Sequence, residues 1–160
     1  MVDPTRYIDV NIFVYWLGNH PNCAQVAKNW IQKIEESQRG KYVTSSLTLY
    51  ETTVILAGLT GKNLKDKAFI TQVITPITAI KSLTIEPLKS EDFKKATEIM
   101  DKWELDYEDS LHLAVAERVG AEEIITNDRD FDKAEKIIHN VEQGYFPGRY
   151  DTEETKENDP

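Results

Sequence analysis

The apolar and polar positions divide the chain into short apolar runs separated by longer stretches of helical spacing. Arg6-Tyr7-Ile8-Asp9 reads as a short first strand that ends on a carboxylate. Asn11 to Leu17 is dense in large apolar residues and predicts a short buried helix, ended by Gly18-Asn19-His20-Pro21. Val26, Ala27, Trp30, Ile31 and Ile34 follow the period of a second helix, with Asn22 as its expected cap and Gly40 as its stop. Tyr42 to Ser45 makes a second strand, and Leu47 to Leu59 returns to helical spacing. Leu64 to Ile80 predicts a further helix, kinked or broken by Pro76. Leu83 to Pro87 is the third strand candidate. Ser90 is the expected cap of a helix with Phe93, Ala96, Ile99, Met100 and Trp103 on its apolar face. Asp109 opens another, with Leu111, Ala114, Val115 and Val119 inward and Gly120 at its end. Glu122 to Asn127 is the fourth strand, a helical turn follows Asp128, and Ile137 to Val141 makes a last edge strand.

Strands alternating with helices in this order predict an α/β layer architecture around a largely parallel sheet. No internal repeat and no second core are visible. At 160 residues and 40% hydrophobic, one domain with a real core is expected. It is expected to span 1–146, followed by an acidic, flexible tail over 147–160.

Charge narrows the functions open to such a domain. Nineteen basic residues face 28 acidic ones, a net charge of −9. Asp151 to Pro160 carries five acids and one lysine, and the body remains acidic without it. Broad electrostatic binding of nucleic acid needs Lys and Arg against phosphate, so it is disfavoured, although a metal ion can still bridge to phosphate. The single cysteine, Cys23, excludes an intrachain disulfide, fits a reducing compartment and reads as a packing residue. No apolar run approaches the roughly 18 residues of a membrane span, and the first residues lack a basic region followed by an apolar one. The expected location is the cytoplasm, away from membranes.

Four carboxylates recur where α/β proteins place their chemistry, outside the carboxyl ends of the strands. Asp9 ends the first strand, Asp128 follows the fourth, Asp109 opens a helix and Glu51 lies inside one. Each also has a structural reading. Asp9, Asp109 and the Asn127-Asp128 pair can cap helices, and Glu51 can sit on a solvated face. Taken together they form the all-oxygen ligand set preferred by Mg²⁺ or Mn²⁺, and their mutual repulsion would call for a cation. His and Cys clusters at zinc spacing are absent.

At these same acids the chain resembles the PIN-domain nucleases. Ile8-Asp9-Val10-Asn11-Ile12-Phe13 resembles the opening motif, an acid followed two residues later by Asn or Ser. Leu49-Tyr50-Glu51-Thr52 is similar to the helical glutamate motif, Leu105 to Ala114 to the third-acid motif with Asp109 in the matching place, and Ile125 to Phe131 to the fourth. The four motifs come in the family's order over roughly residues 5 to 145, and the size of the chain suits the VapC toxins of prokaryotic toxin–antitoxin pairs. The resemblance implies a PIN-like three-layer α/β/α sandwich with a mainly parallel central sheet. It implies a Mg²⁺- or Mn²⁺-dependent endoribonuclease in which metal-activated water hydrolyses the RNA phosphodiester. Asp9 and Asp109 would then be the most direct ligands, Asp128 would complete the cluster, and Glu51 would bind a second ion or orient the water. An RNA substrate, a cognate antitoxin and a homodimer are the implied partners. Tyr50, Phe69, Ile70, Trp30 and Trp103 are available to such a dimer or to the core.

Asn11 and Thr126 are the candidate supports of these acids through hydrogen bonds, with a helix cap and a strand-end hydroxyl as their plain alternatives. Asp106, Asp130 and Asp132 could help the site but read first as solvated turn residues, and His112, one turn after Asp109, could face the substrate but reads first as packed or solvated. Lys62, Lys65, Lys67 and Arg129 are candidate phosphate contacts. Two rivals remain. One is a Mg²⁺-dependent phosphatase of the haloacid dehalogenase type, which typically carries a second Asp where this chain has Asn11. The other is a non-catalytic module of the same fold that binds RNA or a protein.

Overall fold

The computed structural model describes residues 4–128, 130–131 and the backbone of 140–143. Five parallel strands form one sheet, β1 (Arg6–Ile8), β2 (Tyr42–Ser45), β3 (Leu83–Glu86), β4 (Glu123–Thr126) and β5 (Asn140–Gln143), in the order β3-β2-β1-β4-β5. Six helices cover it: α1 (Val10–Leu17), α2 (Ala24–Glu36), α3 (Ser46–Thr60), α4 (Lys67–Thr78), α5 (Ser90–Trp103) and α6 (Tyr107–Arg118). This is the expected three-layer α/β/α sandwich, and all four strand pairings are parallel.

Strand side chains alternate between faces, and the core divides accordingly. Ile8 and Ile125 point to one side, where they pack with Ile12 and Phe13 of α1, Trp30, Ile31 and Ile34 of α2 and Ile77 of α4. Their neighbours Tyr7 and Ile124 point to the other, against Ile99 of α5 and Leu113, Ala114 and Val115 of α6. Both central strands are therefore buried on both faces, as parallel sheets require. A third cluster, with Val14, Leu56, Ala57, Phe69 and Val73, fastens α3 and α4 to α1.

Helix ends depart from the sequence reading in instructive ways. Asn22 does not cap α2; Cys23 takes that place without a side-chain bond. His20 does the work, its Nδ1 accepting from the amides of Asn22 and Cys23 at 3.1 and 3.0 Å. The helix stops at Ser37, before Gly40. At α5 the cap is Lys89, with the Asp92 carboxylate bonded back to the Lys89 amide at 2.8 Å, and Ser90 is the first helical residue. Asp106, one turn before the position expected to open α6, caps it by accepting from the Asp109 amide at 2.8 Å. Pro76 does not break α4; the helix runs through it and ends at Thr78. α3 closes on Gly61 at φ 66°, a left-handed conformation that glycine adopts without steric cost. Val54 and Phe93, expected on inner faces, are exposed.

The order of strands fixes where chemistry can occur. β1, β2 and β3 build outward in one direction, and the chain then returns through α5 and α6 to place β4 on the other side of β1. The crevice outside the carboxyl ends of β1 and β4 is thus the switch point of the sheet, the usual ligand position in open α/β proteins. α1 and α3 leave from the carboxyl ends of β1 and β2, and α6 runs back toward the start of β4. All three helices therefore have their N-termini at this same edge.

Candidate active site at the carboxyl edge of the sheet

Asp9 follows β1 directly and is 3% exposed. Its amide donates to the Ile125 carbonyl at 3.0 Å, so β1 and β4 hold it from both sides. As the cap of α1, its Oδ1 accepts from the Val10 amide at 2.7 Å, and its Oδ2 accepts from the Thr126 hydroxyl at 2.6 Å. The same Thr126 oxygen accepts from the Asp128 amide at 2.9 Å. One buried hydroxyl at the end of β4 therefore ties the first acid to the backbone of the last.

Asp109 lies in the first turn of α6 and is half-buried. One carboxylate oxygen each from Asp109, Asp128 and Asp130 lies within 4.8 Å of the other two. Asp130 reaches this group from a turn in which its amide donates to Asp128 Oδ1 at 2.9 Å. Burial, followed by the charges of Asp128, Asp106 and Asp9, pushes the Asp109 carboxyl up to about 8, against the opposing pull of His112. Burial also raises Asp9, opposed by His112, the Thr126 hydroxyl and the Val10 amide, with Asp128 adding to the rise. These mutual influences place Asp9 electrostatically with the three-acid group, although its oxygens are not among the three that converge.

Glu51 stands apart from that group. On α3 it is 7% exposed, and both its oxygens lie 3.1 Å from His112 Nε2. It is also hydrogen-bonded to Glu108, whose carboxyl is pushed up to about 7, first by that bond, then by burial and by the charge of Glu51. Two carboxylates bonded to one another must share a proton or a cation, and here the raised Glu108 carboxyl is the one that carries the proton. His112 is buried, and burial disfavours its charge; Tyr7, the bond to Glu51 and the Asp9 charge outweigh this and raise its pKa well above the ordinary value.

The supporting residues separate. Thr126 makes the two bonds just described, whereas Asn11 carries a buried Oδ1 with no hydrogen-bond partner among the described residues. The Ser110 hydroxyl and Asn127 Oδ1 are in the same condition. Asn127 Nδ2 donates to the Tyr15 hydroxyl at 3.1 Å, and the charges of Asp9 and Asp128 both raise the Tyr15 pKa, behind the larger effect of burial. Lys62, Lys65 and Lys67 are exposed beyond the far end of α3. Thr60, the last residue of α3, is nine residues past Glu51, about 14 Å along the helix axis, so these lysines follow the end of α3 away from Glu51. Arg129 and Asp132 lie outside the described residues.

Sequence reading left Asp130 as a solvated turn residue and did not single out Tyr15 or Glu108. Two had a usable signal. Tyr15 is one turn after Asn11, and Glu108 one turn before His112, spacings that put each pair on one helix face. Asp130 had none, because a turn rich in Asp looks the same whether it is solvated or folded back on a neighbour.

Comparison with known proteins bears on the fold and the family. No curated protein sequence matches the chain. Among solved structures, the Mycobacterium tuberculosis toxin VapC20, which cleaves the sarcin-ricin loop, superposes with a TM-score of 0.66 at 16% identity, over 81% of this chain and 95% of that one. VapBC2 from Rickettsia felis, bound to a fragment of its promoter DNA, gives 0.60 at 19% identity, over 86% and 99%. A toxin–antitoxin complex from Klebsiella pneumoniae gives 0.59 at 19% identity, over 86% and 97%. At such identities the likeness is one of fold. The PIN domain profile, however, matches residues 6–137, which includes all four acids of the sequence motifs. The chain belongs to the PIN domain family.

Proposed function

We propose that the protein is a metal-dependent ribonuclease acting on single-stranded RNA, and the toxin of a toxin–antitoxin pair. The observation that carries this reading is the convergence of Asp109, Asp128 and Asp130 beside Asp9 at the switch point of the sheet. The residues fit a hard divalent cation: every donor is oxygen, burial and the neighbouring acids Asp128, Asp106 and Asp9 push the Asp109 carboxyl up to about 8, and the buried Asn11 and Asn127 carbonyl oxygens have no donor among the described residues. Asp109, Asp128 and Asp130 would hold the ion, with Asp9 adjacent and Glu51 acting beside it. Bound Mg²⁺ or Mn²⁺ would supply an activated water and offset charge on the phosphate.

The chain's own groups have definite parts. Thr126 and the Val10 amide fix both oxygens of Asp9, so the acid faces the crevice in one orientation. Glu108, bonded to Glu51, can take up or release a proton near pH 7. Tyr15, held by Asn127, forms a side of the same crevice. A phosphatase that uses Asp9 as nucleophile fits less well, because that carboxylate is buried and both oxygens already accept hydrogen bonds.

Purified protein is expected to cleave single-stranded RNA with Mg²⁺ or Mn²⁺ and not in chelator. Asp9→Asn and Asp109→Asn are expected to lower the rate by roughly 10²-fold or more. Absence of cleavage with either metal, together with wild-type metal binding by both variants, would end the nuclease reading. The toxin reading is supported by the fold shared with VapC20 and by Tyr50 and Leu59, 68% and 71% exposed on α3, which suit an antitoxin or a second copy of the chain. Expression should arrest growth, Asp109→Asn should not, and a small protein encoded beside it should relieve the arrest. Normal growth with active enzyme in the cell would sink that part alone.

A further inference from the structure

One buried polar chain crosses the molecule beneath the acids. His112 is 1% exposed, and both its ring nitrogens are engaged. Nδ1 lies 2.6 Å from the Tyr7 hydroxyl, which is 2.9 Å from Ser45 Oγ. Nε2 lies 3.1 Å from each oxygen of Glu51. Tyr7 and Ser45 are fully buried on the adjacent strands β1 and β2. The Tyr7 ring also meets the imidazole edge-on, with centroids 5.7 Å apart. The imidazole is therefore anchored in the most rigid part of the fold, and only its far nitrogen reaches out to α3.

Packing alone does not require this arrangement. A core histidine is satisfied by any one donor and one acceptor. Here the outer nitrogen meets the only α3 acid that is buried, and meets it symmetrically. An ionised carboxylate can only accept, so Nε2 carries the hydrogen whether the ring is neutral or charged. In the neutral ring, Tyr7 donates to Nδ1 and Ser45 donates to Tyr7. In the charged ring, both of those bonds reverse and the one to Glu51 does not.

Resting on the nuclease reading above, we infer that His112 is a positioning residue: anchored by Tyr7 and Ser45, its Nε2–H fixes the orientation of the Glu51 carboxylate, which stands apart from the Asp109, Asp128 and Asp130 group. Among the described residues Glu51 has only side-chain partners, His112 and Glu108, unlike Asp9, which the Val10 amide and Thr126 secure. Without His112 only the bond from the exposed Glu108 remains, and the help of Glu51 to a cation or to an attacking water becomes intermittent. Partners that orient ligands in this way typically contribute 10- to 100-fold in metal affinity or activity.

The test uses the full chain, stripped of metal and titrated with Mn²⁺, with binding read from water-proton relaxation. His112→Ala is expected to weaken Mn²⁺ binding about 10- to 100-fold. His112→Gln, whose amide can present an N–H near the place of Nε2, is expected to recover most of the loss. Glu51→Gln should weaken binding to a similar degree, and the double variant should be no weaker than either single one, because the two act as a unit. Melting temperatures of the metal-free variants record the cost of emptying a buried site separately. A purely structural His112 would lower the melting temperature and leave Mn²⁺ affinity of the folded protein unchanged; that result, or additive losses in the double variant, overturns the inference.

A long-range ¹H–¹⁵N correlation spectrum of the metal-free protein reads the ring directly. A hydrogen on Nε2 whose resonance moves in Glu51→Gln supports the inference, and a bare Nε2 refutes it. This readout does not depend on cleavage or on metal. A protein that keeps the coupled Nε2–H yet leaves RNA intact counts against the nuclease reading alone.

Discussion

Thr126 is the smallest group in the site with two duties. Its hydroxyl donates to Asp9 Oδ2 and accepts from the Asp128 amide. Thr126→Val keeps the shape of the side chain and removes both bonds. The buried Asp9 then loses a donor, so a stability loss of about 1–3 kcal/mol is expected in urea melts, with cleavage down roughly 10- to 100-fold. Thr126→Ser should keep both near wild type; equal damage from Ser and Val would mean that the methyl group, not the hydroxyl, matters. The raised carboxyls make a second expectation. Asp109 near 8 and Glu108 near 7 bind protons more tightly in the folded chain than in the unfolded one, where carboxyls titrate near 4. Folding stability of the metal-free protein should therefore fall as pH rises from about 4 to 8. Both groups are partly open to solvent, which screens the effect to roughly 1–2 kcal/mol, a drop of about 3–6 °C in melting temperature. Mg²⁺ should reverse the drop at pH 8 and do little at pH 5; a melting temperature in chelator that climbs over this window contradicts the expectation. Asp9, Asp109 and Asp128 could be found from sequence because strand ends and helix starts are set locally. The Tyr7–His112–Glu51 chain could not, since its members are 105 and 61 residues apart and carry no periodic signal.

Arg118 works between elements rather than within the site. At the last turn of α6, its guanidinium donates to Asp92 at 2.7 and 3.0 Å, to Glu86 at 2.5 Å and to the Pro87 carbonyl at 3.0 Å. One side chain thus joins α6 to the start of α5 and the end of β3. Asp92 is 1% exposed; burial raises its pKa, but the bonds and charges of Arg118 and Lys89 together outweigh it and lower the carboxyl below its ordinary value. Arg118→Leu strands that carboxylate, and a loss of about 2–4 kcal/mol is expected from denaturant melts, while cleavage per folded molecule at low temperature stays unchanged. A large change in cleavage without a change in stability would contradict this division of labour. The elements themselves were readable, because each buries a face whose period survives in the sequence. Their ends were less so. The N-terminus of α2 is satisfied by His20, which lies before it in a turn, and that of α5 by Asp92, which lies inside it. Propensity for Asn22 or Ser90 as caps says nothing about which side chain reaches the amides first.

Over the whole molecule, the charge of −9 works against the substrate proposed for it. RNA is a polyanion, and the lysines at 62, 65 and 67 lie away from the acids. In chelator, an RNA oligomer is expected to bind Asp9→Asn or wild type more weakly than roughly 100 µM at physiological salt. Mn²⁺ should tighten binding to the wild type at least about tenfold, since the ion offsets the acids that repel phosphate. Tight binding in chelator with a steep dependence on salt would instead point to a basic surface away from the acids, such as the one at Lys62, Lys65 and Lys67.

The bond from Thr126 to Asp9 joins residues 117 positions apart. A ribosome releases the chain from its N-terminus at about 5–20 residues per second, so β1, β2 and β3 emerge together long before β4. During that interval Asp9 and Glu51 are present, yet no partner strand lies on the open side of β1. Contacts of such long range close late in folding. An enzyme that attacks RNA, as proposed for this protein, would be made on a machine built of RNA, and this connectivity would keep the nascent chain chemically inert until β4 has been synthesised.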